Sequence, residues 1–462
     1  MVFSSTVFLL IFLPALLLLY YLPVKGSFRR TWRNAVLLLF SIAFYAWGEP
    51  LFIFIILAFV FINWALVLFM DRAAHKKVWL SAAIISDVLL LGVFKYASFI
   101  SENIAALTKN DSLLISIALP IGISFFTFQM MSYVFDVYYG KAKAQKNPLY
   151  VALYITLFPQ LIAGPIVRYT EVEEDILTRK ETLADFSAGF KRFAYGLGKK
   201  LLIANFASQI ADNVFDSLTH PSVLMAWLGA IAYALQIYFD FSGYSDMAIG
   251  LGKMFGFRFS ENFNYPYIAK SITDFWRRWH ISLSTWFRDY VYIPMGGNRV
   301  KKPRWILNLF VVWLLTGIWH GANWTFVLWG LLYFVVLLIE KLTGFPKKLG
   351  AFSHIYTLAV VIIAWVFFRA ADISSGLTYL GHMFGIGASG FADAGFLAYL
   401  KGTFVVLIAA LIGTTPLLKK AFGWLDEHKL GWIENIWVFF VFVLSVCQAV
   451  GSTYNPFIYF NF

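Results

Sequence analysis

LFIFIILAFVFINWALVLFM, residues 51–70, runs for twenty positions without a charged side chain. At 1.5 Å of rise per residue such a helix is about 30 Å long, which is the thickness of a bilayer's hydrocarbon core. Working outward, comparable runs recur: TVFLLIFLPALLLLYYL (6–22) before it and TFVLWGLLYFVVLLI (325–339) far beyond it. The 462-residue chain is 60% hydrophobic, 19% aromatic and only 13% charged, with a mean hydropathy of +0.72. Soluble domains carry roughly a quarter charged residues, so about half the usual charge is missing. The chain reads as an all-α polytopic membrane protein.

Apolar segments fall at 6–22, 34–48, 51–69, 78–95, 113–138, 149–165, 193–213, 223–250, 305–322, 324–341, 355–368, 402–418 and 432–450. They imply about eleven transmembrane helices, the rest re-entrant or interfacial. No soluble segment separates them, so residues 1–462 read as a single membrane-embedded domain. The first run has no Lys or Arg before it and no small-residue cleavage site after it, which marks a retained anchor. The single cysteine, Cys447, excludes an intrachain disulfide and a thiolate metal cluster. A formal net charge of +12 calls for no nucleic-acid partner, because Lys and Arg collect in cytoplasmic loops. Residues 25–33 hold four cations and no acid, which sets that loop inside and the N-terminus outside. The longest basic stretch, 253–304, belongs on the same cytoplasmic face.

Within that basic stretch, FWRRWHISLSTWFRDYVYIPMGGNR (275–299) stands out for its density of charge and rings. Helical spacing before Pro294 sets Trp276, His280, Leu283 and Phe287 on one face, flanked by Arg277, Arg278 and Arg288. Such a helix can lie at the interface with its arginines among lipid headgroups, or it can build part of a site. Deeper polar groups are costly in a bilayer and usually face a cavity or a partner. His320, in VVWLLTGIWHGANWTFVLWG (311–330), is the sharpest case. A helix opening near Trp305 would put it roughly 22 Å along the axis, well inside the hydrocarbon. A neutral imidazole, with a reference pKa of about 6.5, can take a proton from an attacking hydroxyl. The competing account is a structural histidine bonded to a neighbouring helix. Gln236, Asp240, Tyr244 and Asp246 share another apolar run; they line a polar passage, or Asp240 pairs with an arginine of 277–288. Gln129 and Asp136 in FFTFQMMSYVFDVYYG (125–140) carry the same two readings. Gly164-Pro165 breaks a helix at membrane depth, as irregular backbone does where it lines a cavity. Two embedded histidines without a third ligand leave no metal site.

Taken in order, FFTFQMMSYVFDVY, PQLIAGPIVR, FDFSGYSDMAIGLGKMFGF, NFNYPYIAKSITDFWRRWHISLSTWFRDYVYIPMGGNR, GIWHGANWTFVLWG and the terminal PFIYFNF resemble the membrane-bound O-acyltransferase (MBOAT) family. The resemblance covers essentially the whole chain and is closest to the branch that acts in bacterial alginate O-acetylation. The teichoic-acid D-alanyl transfer branch shares the plan more distantly. What the resemblance implies is an arc of helices around a thinned centre with a tunnel between two funnels. The family's two characteristic histidines fall on His320 and His280. The resemblance further implies acetyl-CoA as the acyl donor, with no bound cofactor, and an extracytoplasmic transferase of the SGNH-hydrolase type as partner. The acceptor would be a cell-surface polysaccharide such as an alginate-like exopolysaccharide, cellulose or peptidoglycan, and the site of action the bacterial plasma membrane.

On that reading His320 is the base, and His280 positions the thioester or the acceptor. Asp240, Gln236, Gln129, Trp276, Trp279, Trp319 and Asn323 line the tunnel. Arg277, Arg278, Arg288 and Arg299 meet the phosphates of acetyl-CoA. No Ser or Cys stands out as a nucleophile. The alternatives are a proton-coupled secondary transporter, in which broken helices and intramembrane Asp and His are equally expected, and transfer of D-alanyl or another acyl group to a cell-wall polymer.

Overall fold

The computed structural model of the protein describes residues 1–452 and 454–457, so most of the terminal PFIYFNF stretch lies outside the described residues. Among them there are helices and loops and no strand. Seven of these helices are long and apolar enough to cross a membrane: Phe52–Arg72, Lys76–Thr108, Val223–Met254, Trp324–Thr343, Phe352–Arg369, Ala394–Gly413 and Trp432–Gly451. The polytopic all-α class holds. Several of the apolar segments behind the expected eleven fold instead as shorter or interrupted helices. Only Ile123–Tyr138 of 113–138 is a long helix, and 149–165 divides into Pro148–Thr156 and Phe158–Leu161. The breaks fall at Gly122 and before Pro159, where the helical ladder cannot continue. Large apolar side chains on Ala394–Gly413, such as Phe404, Val405 and Leu411, are exposed, as they would be against lipid.

The helices gather into two compact units. The first comprises Met1–Phe193 with Ser245–Ser260. Its interior is rich in Phe: the rings of Phe3, Phe8, Phe12, Phe44 and Phe158 meet at centroid separations of 5.1–6.2 Å. The basic 25–33 loop finds its counter-charge within this unit. Glu181 accepts hydrogen bonds from Tyr20 Oη (2.7 Å) and Arg30 Nη1 (3.0 Å), and Arg33 Nη1 also bonds its carboxylate. Arg179, almost wholly buried, approaches to 3.7 Å. Gln129 belongs here too; its side-chain amide is buried and neither amide atom has a partner among the described residues.

The second unit comprises Ala194–Tyr244 with Glu261–Phe462. Lys302–His320 and Trp324–Thr343 form a close antiparallel hairpin through small residues. A Cβ at Gly317 would stand 2.5 Å from Phe326 O, and one at Gly330 2.5 Å from Trp313 O, so only glycine allows the two backbones this approach. Elsewhere in the unit a widened π-helical turn, Lys199–Ala204, sets Lys200 Nζ 2.8 Å from Asp240 Oδ1, with both side chains buried. Lys200 Nζ also donates to the carbonyl of Pro456, tying that residue to the same turn.

Candidate functional site

The 275–299 stretch is not one helix. Ile272–Trp276 is a single turn, and a second helix, Ile281–Phe287, begins only after His280, whose φ is +45°. The expected single helical face is therefore wrong in its geometry, although Trp276, His280, Leu283 and Phe287 are all buried. The physical reason lies in Asn262. Its backbone carbonyl accepts from Ile281 N–H (3.0 Å), and its side-chain oxygen accepts from Ser282 N–H (3.2 Å) and the Ser282 hydroxyl (2.9 Å). These bonds turn the chain at His280 and end the first turn.

The same Asn262 Oδ1 lies 3.2 Å from His280 Nδ1. That oxygen already accepts from an amide N–H, so it is a carbonyl oxygen and Nδ1 must carry the proton. In the neutral form of the ring the lone pair then lies on Nε2. The imidazole stands edge-on to Phe241 (4.7 Å, 88°) and 5.8 Å from the Trp319 ring.

A second anchor fixes the start of the segment. Glu340, buried on Trp324–Thr343, accepts from Ile272 N–H (2.7 Å), Thr273 N–H (3.0 Å) and the Thr273 hydroxyl (2.9 Å). A carboxylate there satisfies N–H groups that the helix itself leaves open and matches the positive end of the turn. On the same face of Trp324–Thr343, at helical spacing, stand Trp329 and Tyr333.

His320 is the last residue of Lys302–His320. That helix opens at Lys302 rather than near Trp305. It ends where Gly321-Ala322-Asn323 breaks the run, Asn323 capping the next helix through Thr325 N–H at 3.0 Å. The His320 ring is enclosed by Trp319 (5.0 Å), Trp329 (5.0 Å) and Phe368 (5.1 Å), all close to perpendicular to it. Trp319 thus touches both histidines, which brings the two sequence-identified imidazoles to one aromatic pocket. Trp276 packs on Trp313, Trp329 and Tyr333 at 4.9–5.6 Å, and Trp279 on Trp365 at 5.0 Å. Three donors in this wall, Trp276 Nε1, Trp329 Nε1 and Tyr333 Oη, are buried without a hydrogen-bond partner among the described residues. Leaving such a group unmatched costs about 1–3 kcal/mol.

The remaining expected site residues divide. Gln236 and Asn323 lie in the second unit with the histidines, whereas Gln129 lies in the first. Asp240 pairs with Lys200, not with an arginine of 277–288. Of the four arginines, Arg278 bonds Asp274 (2.9 Å) and Arg288 bonds Asp289 (2.6 Å), while Arg277 and Arg299 are exposed. Sequence reasoning missed Asn262, Glu340, Lys200, Trp329 and Tyr333. Trp329, Tyr333 and Glu340 share a face at i, i+4 and i+11, a signal masked by the helix being an ordinary apolar span.

The site is thus a buried pair of histidines in an aromatic wall, on a helical scaffold with seven helices long and apolar enough to cross a membrane. The chain belongs to the membrane-bound O-acyltransferase family, whose sequence model matches residues 142–378. It is 39% identical over 492 residues to the probable alginate O-acetylase of Pseudomonas putida, across all of both chains. It is 32% identical to the peptidoglycan O-acetyltransferase of Helicobacter pylori, covering all of this chain and 98% of that one. A third relative, the teichoic acid D-alanyltransferase of Bacillus subtilis, is 34% identical over 52% of this chain and 65% of its own. The protein is therefore a multi-pass membrane acyltransferase rather than a secondary transporter.

Proposed function

We propose that this protein moves an acetyl group from cytosolic acetyl-CoA, through a central tunnel in the bacterial plasma membrane, to a hydroxyl acceptor for O-acetylation of a cell-surface polysaccharide. The observation that carries the reading is the pairing of His320 and His280 around Trp319 inside a buried aromatic wall. Full-length similarity to an alginate O-acetylase and to a peptidoglycan O-acetyltransferase supports the acetyl group and the polymer class. The half-length match to the D-alanyltransferase makes D-alanyl transfer the weaker alternative. Transfer on the outer face would pass to an SGNH-hydrolase-like partner that sets the final polysaccharide.

His320 takes the proton of the attacking hydroxyl as its oxygen bonds the thioester carbonyl carbon, and a tetrahedral oxyanion forms. As the C–S bond breaks, His320 returns that proton to the departing thiolate, giving ester and free CoA thiol. His280, held as its Nδ1–H tautomer, offers Nε2 to the hydroxyl or a neighbouring polar group and so orients the acceptor. Arg277 and Arg299, exposed on the basic segment, are the arginines free of a carboxylate partner in their own turn and best suited to the CoA phosphates. Asp240, Gln236, Trp276, Trp279, Trp319 and Asn323, all within the second unit, remain the proposed lining of the path.

Purified protein in liposomes, supplied with radiolabelled acetyl-CoA and soluble polysaccharide acceptors, tests the reading. Transfer should be lost in His320→Ala, with the variant still accumulating in the membrane at wild-type level. Unchanged acetylation in that variant would falsify the assignment of the base.

A further inference from the structure

We propose that Trp276 Nε1, Trp329 Nε1 and Tyr333 Oη form a cradle for the carbonyl oxygen of the acyl group in transit beside His320. The inference rests on the acyl-transfer reading given above and adds to it the group that would hold the developing oxyanion.

The three rings form one contiguous wall. Trp276 meets Trp329 at 5.6 Å and Tyr333 at 4.9 Å, and Trp329 meets Tyr333 at 5.0 Å. Trp329 is also the ring that stands edge-on to His320 at 5.0 Å. Each polar atom is buried, and none has a hydrogen-bond partner among the described residues. Trp329 and Tyr333 are wholly inaccessible and Trp276 is 8% exposed, so bulk water does not compensate them. Native interiors satisfy nearly all such groups, and three unmatched donors on touching rings are a marked departure from that rule.

Their chemistry narrows the ligand. An indole N–H only donates, and a neutral phenol here has a hydrogen to give. A cluster biased to donation selects an oxygen that carries lone pairs and no hydrogen, which describes an acyl carbonyl. It does not describe an ammonium or a hydroxyl proton. When the acceptor oxygen bonds the carbonyl carbon, negative charge grows on this oxygen, and donors already fixed in place stabilise it most strongly at that point. The fixing is visible in Glu340. It binds the first turn of Ile272–Trp276 to the helix that bears Trp329 and Tyr333, so all three donors are tied to one frame.

The test compares acetyl-CoA with S-ethyl-CoA, a thioether that lacks only the carbonyl oxygen. The wild-type protein in detergent should bind acetyl-CoA about tenfold or more tightly, and Tyr333→Phe should narrow that ratio. In the transfer assay Tyr333→Phe should lower kcat by roughly 10²-fold while leaving the KM for acetyl-CoA and the thermal midpoint close to wild type. Equal affinity for the two compounds in the wild-type protein overturns the inference. So do kcat values of Tyr333→Phe and Trp329→Phe within about twofold of wild type alongside an inactive His320→Ala, which would leave water as the donors' partner. Wild-type transfer by His320→Ala overturns the underlying reading and the inference with it.

Discussion

Asn262 holds His280 in a single tautomer. Its side-chain oxygen, 3.2 Å from His280 Nδ1, is marked as a carbonyl by the Ser282 N–H that also donates to it, so the ring's basic lone pair falls on Nε2. One amide oxygen thereby fixes both the backbone turn and the proton arrangement of a candidate active-site imidazole.

Replacing Asn262 with Ala removes the oxygen that His280 Nδ1 and the Ser282 donors share. The expected outcome is a loss of about 1–3 kcal/mol in stability for the lost hydrogen bonds, and a drop in transfer larger than any drop in the amount of folded protein. Acetylation per milligram of folded protein, measured beside thermal unfolding in detergent, checks this. Wild-type specific activity would show that the His280 tautomer does not matter to the reaction.

The glycine contact between Lys302–His320 and Trp324–Thr343 sets the position of His320. In Gly330→Ala the new Cβ would meet Trp313 O at 2.5 Å, backbone against Cβ, which cannot be relieved by a side-chain swing. Overpacking of this kind costs about 1–3 kcal/mol, and the thermal midpoint should fall. Gly402→Ala, where nothing lies within 4 Å of the added Cβ, is the control and should leave the midpoint unchanged or raise it. Equal midpoints for the two variants would mean that the helices can separate at no cost.

Lys200 and Asp240 are both buried and 2.8 Å apart, so removal of either partner takes the opposite charge away from the other. Lys200→Met or Asp240→Asn alone should destabilise by about 3–5 kcal/mol, and the double variant should recover much of that loss. A double-mutant cycle of unfolding midpoints reads it. Additive losses, with no recovery, would show that the pair is not coupled.

Glu181 gives the protein a dependence on acid. Burial by itself would raise its pKa. The Tyr20 hydroxyl and the charges of Arg30, Arg33 and Arg179 outweigh that and hold it below the ordinary glutamate value. A depressed folded pKa means that the stabilisation is fully present above the unfolded value of about 4.3 and is lost as pH falls through the folded one. The wild-type midpoint should therefore decline on acidification below about pH 4.3 more steeply than that of Glu181→Gln. Parallel curves for the two proteins would remove Glu181 from the account.

Much was legible before any coordinates. Residues 51–70 and their like dictate a membrane protein, since no other solvent suits so many uncharged side chains in sequence. His320 and His280 are conspicuous because an ionisable ring amid apolar text needs a reason, and both do meet one aromatic pocket. Gly164-Pro165 announced a break, and the chain is non-helical over residues 162–168, through backbone chemistry that is local to the residue. In each of these cases the determining interaction lies with solvent or with the residue's own backbone.

What the tertiary structure decided is pairing. Periodicity made 275–293 a helix, yet Asn262, thirteen residues before the segment begins, competes for its hydrogen bonds and bends it at His280. Asp240 pairs with Lys200, forty positions before it, and the 25–33 cations found Glu181 some 150 positions away. Trp329, Tyr333 and Glu340 read as one face of an ordinary span until packing set them against Trp276 and Ile272. Hydrogen bonds and ion pairs act over a few ångströms irrespective of sequence separation, so their partners are fixed only once the chain has folded.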